Sequence, residues 1–208
     1  MTEAAAGDAT SAQAGTPPPQ GLLVVLSGPS GVGKDAILDE LERRGGRFHR
    51  VITCTTRPPR EAEANGVDYH FVSEAAFDDL LKTDGLLEHA VVYGHRYGVP
   101  RDQVLQQLAG GIDVYVRTDV QGAATIRRLM PDALLIFVAP ASFDDLEARI
   151  RARGAEGEAE ILQRIEAARA EMARQTEFEY VIVNQQGRLD AAADQLERIV
   201  AAEHGRRA

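Results

Sequence analysis

The chain has 208 residues, 44% of them hydrophobic, and its 32 acidic against 23 basic side chains leave a formal net charge of −9. That length supports one sizeable core with small appended lobes. The negative balance excludes nonspecific binding to nucleic acid or to a membrane surface, so an anionic substrate has to be held by locally clustered arginines. The single cysteine, Cys54, excludes an intrachain disulfide, fits a reducing cytoplasm and reads as a buried structural thiol; His49, His70, His89, His95 and His204 show no metal-ligand spacing.

Residues Met1 to Gln20 are rich in Ala, Gly, Thr and Pro, end near Pro17-Pro18-Pro19 and read as a disordered tail. They lack the apolar stretch of a secretory signal, and no run in the chain approaches membrane-spanning length, so a soluble, cytoplasmic protein is expected. The apolar run Leu22 to Leu26 then predicts a strand, and Gly28-Pro29-Ser30-Gly31-Val32-Gly33-Lys34-Asp35 a glycine-rich turn. An amphipathic helix follows, with Ala36, Ile37, Leu38 and Leu41 on its buried face and Gly45-Gly46 at its end. Strand, turn and helix start form a P-loop, in which backbone N–H groups wrap a polyphosphate and Lys34 reaches its outer phosphates. The usual hydroxyl at the last position is replaced by Asp35, a carboxylate that can donate a hard oxygen to Mg²⁺ or serve only as a first-turn acid facing the helix dipole.

Further strands are predicted at Val51 to Thr55, Ile112 to Val116, Leu134 to Val138 and Tyr180 to Val183. Helices are predicted at Asp102 to Ala109, Gln121 to Met130, Phe143 to Ala152, Ile161 to Ala173 and Leu189 to Ala202, with Ser142 and Asp145 as a capping-box-like start. The alternation predicts an α/β fold with a largely parallel sheet. Between Thr53 and Gly98 the pattern changes to short strands, Tyr69 to Val72 and Leu87 to Tyr93, with a helical insert near Ala75 to Leu81. This inserted lobe holds Arg57 and Arg60 around Pro58-Pro59, and Tyr69 and Tyr97, a set that suits one dianionic phosphate.

The segments GPSGVGK, TTRPPR (Thr55 to Arg60), NGVDYHFV (Asn65 to Val72), YGHRYG (Tyr93 to Gly98) and DVQGA (Asp119 to Ala123) together resemble the guanylate kinase family, from Gly21 to about Arg198. The resemblance implies a P-loop core (21–52, 99–141 and 177–208), a GMP-binding lobe (53–98) and a helical lid (142–176). It implies ATP with Mg²⁺ on Gly28 to Asp35, with Asn184 near the adenine. GMP would be held by Thr53, Arg57, Arg60, Tyr69 and Tyr97 on its phosphate, with Glu88 reading guanine and Asp119 as a nearby acid. Lys34, Arg57, Arg149, Arg153 and Arg164 would carry the chemistry, whereas Arg151 and Arg169 read as solvated helix charges. Monomer or homodimer is expected, with no nucleic-acid or membrane partner. Three positions depart from the family pattern: Asp35; Val99, where a guanine-contacting hydroxyl is common; and Arg117, where an acid is common. A ribose 1,5-bisphosphate phosphokinase shares the GKD ending and is the second reading; a non-catalytic, protein-binding module is the third.

Overall fold

The computed structural model describes residues 21–92, 94–153 and 157–207. The predicted tail therefore lies outside the described residues. The chain order is β1 (Leu23–Ser27), α1 (Lys34–Arg43), β2 (His49–Arg50), β3 (Cys54–Thr55), β4 (His70–Phe71), α2 (Glu74–Lys82), β5 (Leu86–Val92) and β6 (His95–Pro100). It continues with α3 (Arg101–Ala109), β7 (Val114–Arg117), α4 (Val120–Leu129), β8 (Leu134–Pro140), α5 (Phe143–Arg153), α6 (Glu158–Ala173), β9 (Tyr180–Asn184) and α7 (Leu189–Arg207).

Five strands form a parallel sheet in the order β2-β7-β1-β8-β9. The period-2 geometry of a strand splits each apolar run between two cores. Leu22, Val24 and Leu26, with Leu134, Ile136 and Val138, pack against α1, α5, α6 and α7. Leu23 and Val25, with Leu135 and Phe137, pack instead against α3 and α4 through Val104, Val120, Ala123 and Ile126. Because β1 is buried on both faces at the centre of the sheet, the loop leaving its C-terminal end has a fixed origin, which is where ligands bind in open parallel sheets.

The lobe is a second sheet, β4-β3-β6-β5, with α2 packed on it through Phe77 against Cys54 and Leu86. The predicted strand Val51 to Thr55 is not continuous. His49 and Arg50 pair with β7 in the first sheet, whereas Cys54 and Thr55 pair with β4 and β6 in the second. The chain changes sheets between them, which a run of β-formers does not signal. Likewise β7 starts at Val114 rather than Ile112, whose side chain is exposed. The helices fall where the periodicity places them, and Ser142 Oγ accepts the Asp145 N–H at 3.1 Å as the cap of α5. Cys54 is buried and unpaired. Among the described residues no helix is long and apolar enough to cross a membrane.

Candidate active site

The turn after β1 is built by glycines that other residues could not replace. Gly28, Gly31 and Gly33 adopt φ of 133°, 84° and 98°, a region that L side chains avoid. A Cβ at Gly28 would also lie 2.2 Å from Val138 O, and one at Gly33 2.4 Å from Asn184 Nδ2. Pro29 O accepts the Val32 N–H at 3.2 Å and closes the turn. Lys34 Nζ donates to Gly28 O at 2.5 Å and Pro29 O at 3.2 Å, across the mouth of the loop. Burial lowers its pKa, an effect opposed by the charges of Glu171 and Asp35. Asn184, itself buried, donates to Val32 O at 2.8 Å and so pins the loop to the end of β9.

Asp35 opens α1 and is gripped by two guanidinium groups: Arg117 Nη1 donates to its Oδ1, and Arg50 Nη2 to the same oxygen at 2.9 Å. Desolvation pushes its pKa up, but Arg117, Arg50 and Lys34 outweigh that and hold it below the ordinary carboxylate value. The carboxylate is therefore ionised at neutral pH.

The lobe presents a second cluster facing this loop. Arg57 is nearly buried and donates through Nε to Tyr97 Oη at 3.3 Å and through Nη2 to Glu63 Oε1 at 2.8 Å. Its guanidinium carbon stands 5.4 Å from the Tyr69 ring centroid, and the Tyr69 and Tyr97 rings meet edge-on at 5.9 Å. Glu63 also accepts the Arg60 N–H at 2.8 Å, while the Arg60 side chain is 68% exposed. Thr53 is buried, and its Oγ1 has no hydrogen-bond partner. A cleft of about 490 Å³ lined by Asp35, Asp39, Arg50, Glu63, Tyr69 and Arg117 separates the lobe from α1.

Glu88 reaches the site through an irregularity. The β5–β6 register shifts between Leu86 and Glu88, leaving Leu86, Leu87 and Glu88 buried in succession, as a bulge re-aims a side chain. Glu88 is only 4% exposed and its Oε1 has no partner. Desolvation, reinforced by the charge of Asp119, pushes its pKa to about 7; the Thr118 hydroxyl pulls weakly the other way. Asp119 caps α4, accepting the Gln121 and Gly122 N–H groups at 2.9 and 2.7 Å. Val99 is the cross-strand partner of Glu88 and is buried.

Over the P-loop lies α5. Its Leu146 and Ile150 come within 4.0 and 3.7 Å of a Cβ built on Gly31, and the Arg149 between them donates to Val32 O at 3.4 Å. Arg164 is half-buried on α6. Arg153 ends α5, and its side chain lies outside the described residues. Arg151 is paired with Glu147 and Glu158, and Arg169 stacks 4.3 Å over the Phe143 ring, so both serve the helix pair itself.

Four residues join the site that sequence reasoning passed over. Glu63 sits three positions beyond Arg60 across a turn closed by its N–H on Arg60 O at 3.0 Å, and carries no motif signal. Glu171 sits seven positions beyond Arg164, hence on the same helix face; burial raises its pKa, and its charge acts on Lys34. Arg50 carries no motif signal, because its role depends on the sheet bringing β2 beside α1. Gly122 matters by its missing side chain: a Cβ there would lie 2.8 Å from Glu88 Oε1 and 2.0 Å from Thr118 Oγ1.

Comparison with known proteins identifies the family. The guanylate kinase family model matches residues 20–203. The chain is 44% identical over 180 residues to a guanylate kinase of Thermobifida fusca, covering 86% of this chain and 91% of that protein. It is 41% identical over 202 residues to guanylate kinase 2, chloroplastic/mitochondrial, of Oryza sativa, covering 97% of this chain and 71% of that one. The crystal structure of guanylate kinase from Anaplasma phagocytophilum superposes with a TM-score of 0.73 at 29% identity, covering 89% of this chain and 87% of that chain. With the loop, the lobe and the overlying helix pair in this order, the chain belongs to the guanylate kinase family.

Proposed function

We propose that this protein transfers the γ-phosphoryl group of ATP to GMP, giving ADP and GDP. The observation that carries the reading is a buried carboxylate, Glu88, whose Oε1 has no partner, on a lobe that also gathers Arg57, Tyr69 and Tyr97. Guanine presents N1–H and its 2-amino group as adjacent donors that one carboxylate accepts together; adenine lacks that pair. A base-free sugar phosphate would leave Glu88 Oε1 without a partner, which disfavours the bisphosphate phosphokinase reading. Retention of Lys34 and the lid arginines disfavours the non-catalytic one.

In this reading 21–52, 99–141 and 177–208 form the core, 53–98 the acceptor lobe and 142–176 the lid. ATP lies on Gly28 to Asp35 with Lys34 at its β- and γ-phosphates, and Asn184 acts by holding Val32 in the loop. Asp35 is an ionised hard-oxygen donor at the head of α1 whose Oδ1 is held by Arg117 and Arg50; with ATP's phosphate oxygens, its other oxygen would hold Mg²⁺, which neutralises their charge. Arg57, Arg60, Tyr69, Tyr97 and Thr53 orient the GMP phosphate so that one of its oxygens attacks the γ-phosphorus. The bond to the β,γ-bridging oxygen breaks and the negative charge leaves on ADP. Asp119 shapes the GMP site by capping α4 and by acting on Glu88. Arg149, Arg153 and Arg164 neutralise the migrating group, and lid closure excludes water, so positioning and electrostatics do the work without a strong general base. The protein acts on small molecules, as a monomer or homodimer.

The reading predicts a pH dependence with a definite sign. Folding raises the Glu88 pKa from 4.5 to about 7, so between those values the folded protein carries a proton that the unfolded chain lacks. This contribution favours the fold at low pH and is lost as pH rises through 7. GMP requires the ionised form, so its KM should rise by up to about tenfold per unit as pH falls from 7 towards 5, and binding in that window should release a proton. Glu88→Gln should flatten the profile and cut kcat/KM for GMP by about 10- to 150-fold, the range for a charged hydrogen bond. Steady-state kinetics with GMP, IMP and AMP checks both; a pH-independent GMP KM in the wild type would contradict the assignment.

Because Gly122 leaves room for the Glu88 carboxylate, Gly122→Ala should raise the KM for GMP about tenfold or more while sparing the KM for ATP. The same kinetics with each substrate varied in turn measures it.

A further inference from the structure

Arg117 lies between the two nucleotide clusters, at the C-terminal end of β7, and its side chain is only 11% exposed. One edge of its guanidinium donates to Asp35 in the first turn of α1. Nη2 donates to Asp68 O at 2.6 Å, in the acceptor lobe. Its guanidinium carbon stands 4.5 Å from the centroid of the Tyr69 ring. No other residue among those described joins Asp35 to Tyr69 directly. The contacts suit a guanidinium specifically, since they use a planar fork and a stacking face together, which an ammonium lacks.

We propose that Arg117 is a positioning residue for both substrates, acting on the donor side through Asp35 and on the acceptor side through Tyr69. On the donor side it shares with Arg50 the offsetting of a carboxylate that stands next to Lys34 and would otherwise repel the ATP phosphates. On the acceptor side it fixes the ring and the backbone of Asp68-Tyr69, so that the Tyr69 hydroxyl is held for the acceptor phosphate. The proposal rests on the acceptor-lobe reading above for its second half, whereas its first half needs only the P-loop.

The two halves separate experimentally. Binding of ATP is measured by calorimetry in EDTA, which removes any metal held by Asp35, and binding of GMP is measured separately. Arg117→Met should weaken each about tenfold, a loss in keeping with one charged contact or one desolvated stacking contact. Adding Asp35→Asn to Arg117→Met should restore ATP affinity to within about twofold of wild type, because the carboxylate left to Arg50 alone is gone, and should leave GMP affinity low. Arg117→Lys keeps a cation for Asp35 but not the stacking face, so it should retain ATP affinity and still lose GMP affinity; this variant also guards against a general folding defect. Failure of Asp35→Asn to restore ATP binding, or equal behaviour of the Lys and Met variants on both nucleotides, would overturn the proposal. A wild-type protein that binds ATP but not GMP would instead overturn the acceptor reading, and the ATP arm would still test the Asp35 contact.

Discussion

Lys34→Met is expected to lower kcat by about 10³-fold or more, as loss of a charge that stabilises a transferring phosphoryl group does. The ammonium already crosses the mouth of the loop, held by Gly28 O and Pro29 O, so ATP meets a positioned charge rather than a mobile one. The loss should be functional and not structural. Burial lowers the Lys34 pKa, because taking the ammonium out of water costs free energy in the folded state. The variant's melting temperature should accordingly be unchanged or raised. Single-turnover kinetics with a parallel thermal melt tests this; a large fall in melting temperature with near-normal kcat would reverse the assignment.

Arg149→Ala is expected to lower kcat by about 10³- to 10⁵-fold, the range for an arginine that neutralises a migrating phosphoryl group, with a much smaller effect on ATP binding. Its position supports this. Leu146 and Ile150 anchor α5 directly on the P-loop, and Arg149 between them reaches Val32 O. Arg151, two residues further, is the internal control. It is tied to Glu147 and Glu158 at the surface, where such pairs contribute about 0–1 kcal/mol, so Arg151→Ala should keep kcat within about twofold. Comparable losses in the two variants would show that the helix pair responds to net charge and not to a placed arginine.

Much of this architecture was legible in the sequence, for identifiable reasons. The β1 run and the alternation of apolar strands with amphipathic helices encode a buried parallel sheet, because each strand must feed both cores. The glycines at 28, 31 and 33 are legible because only glycine meets the φ values the turn needs. The pairing of Arg57 with Tyr69 and Tyr97 was legible as chemistry, since those groups suit one phosphate, and the structure places them together. What was not legible depends on packing between distant segments. The switch of the chain from one sheet to the other between Arg50 and Cys54 has no local signature. The capture of Asp35 by Arg50 and Arg117 joins three segments, 15 and 82 residues from Asp35. Read singly, Asp35 and Arg117 are two departures from a family pattern; in the structure they are one ion pair. Val99 is buried opposite Glu88, and the hydroxyl that contacts that carboxylate is Thr118's, 3.5 Å from Oε2.

The central claim is that the P-loop and the lobe with Glu88 hold ATP and GMP for direct phosphoryl transfer. It is tested most directly by following ADP formation, with product chromatography, in the presence of GMP, AMP, ribose 1,5-bisphosphate or no acceptor at equal concentrations. Rapid ADP release with stoichiometric GDP is expected from GMP alone, and slow release in the other three. ADP release driven by the sugar bisphosphate, or equal with and without GMP, would contradict it.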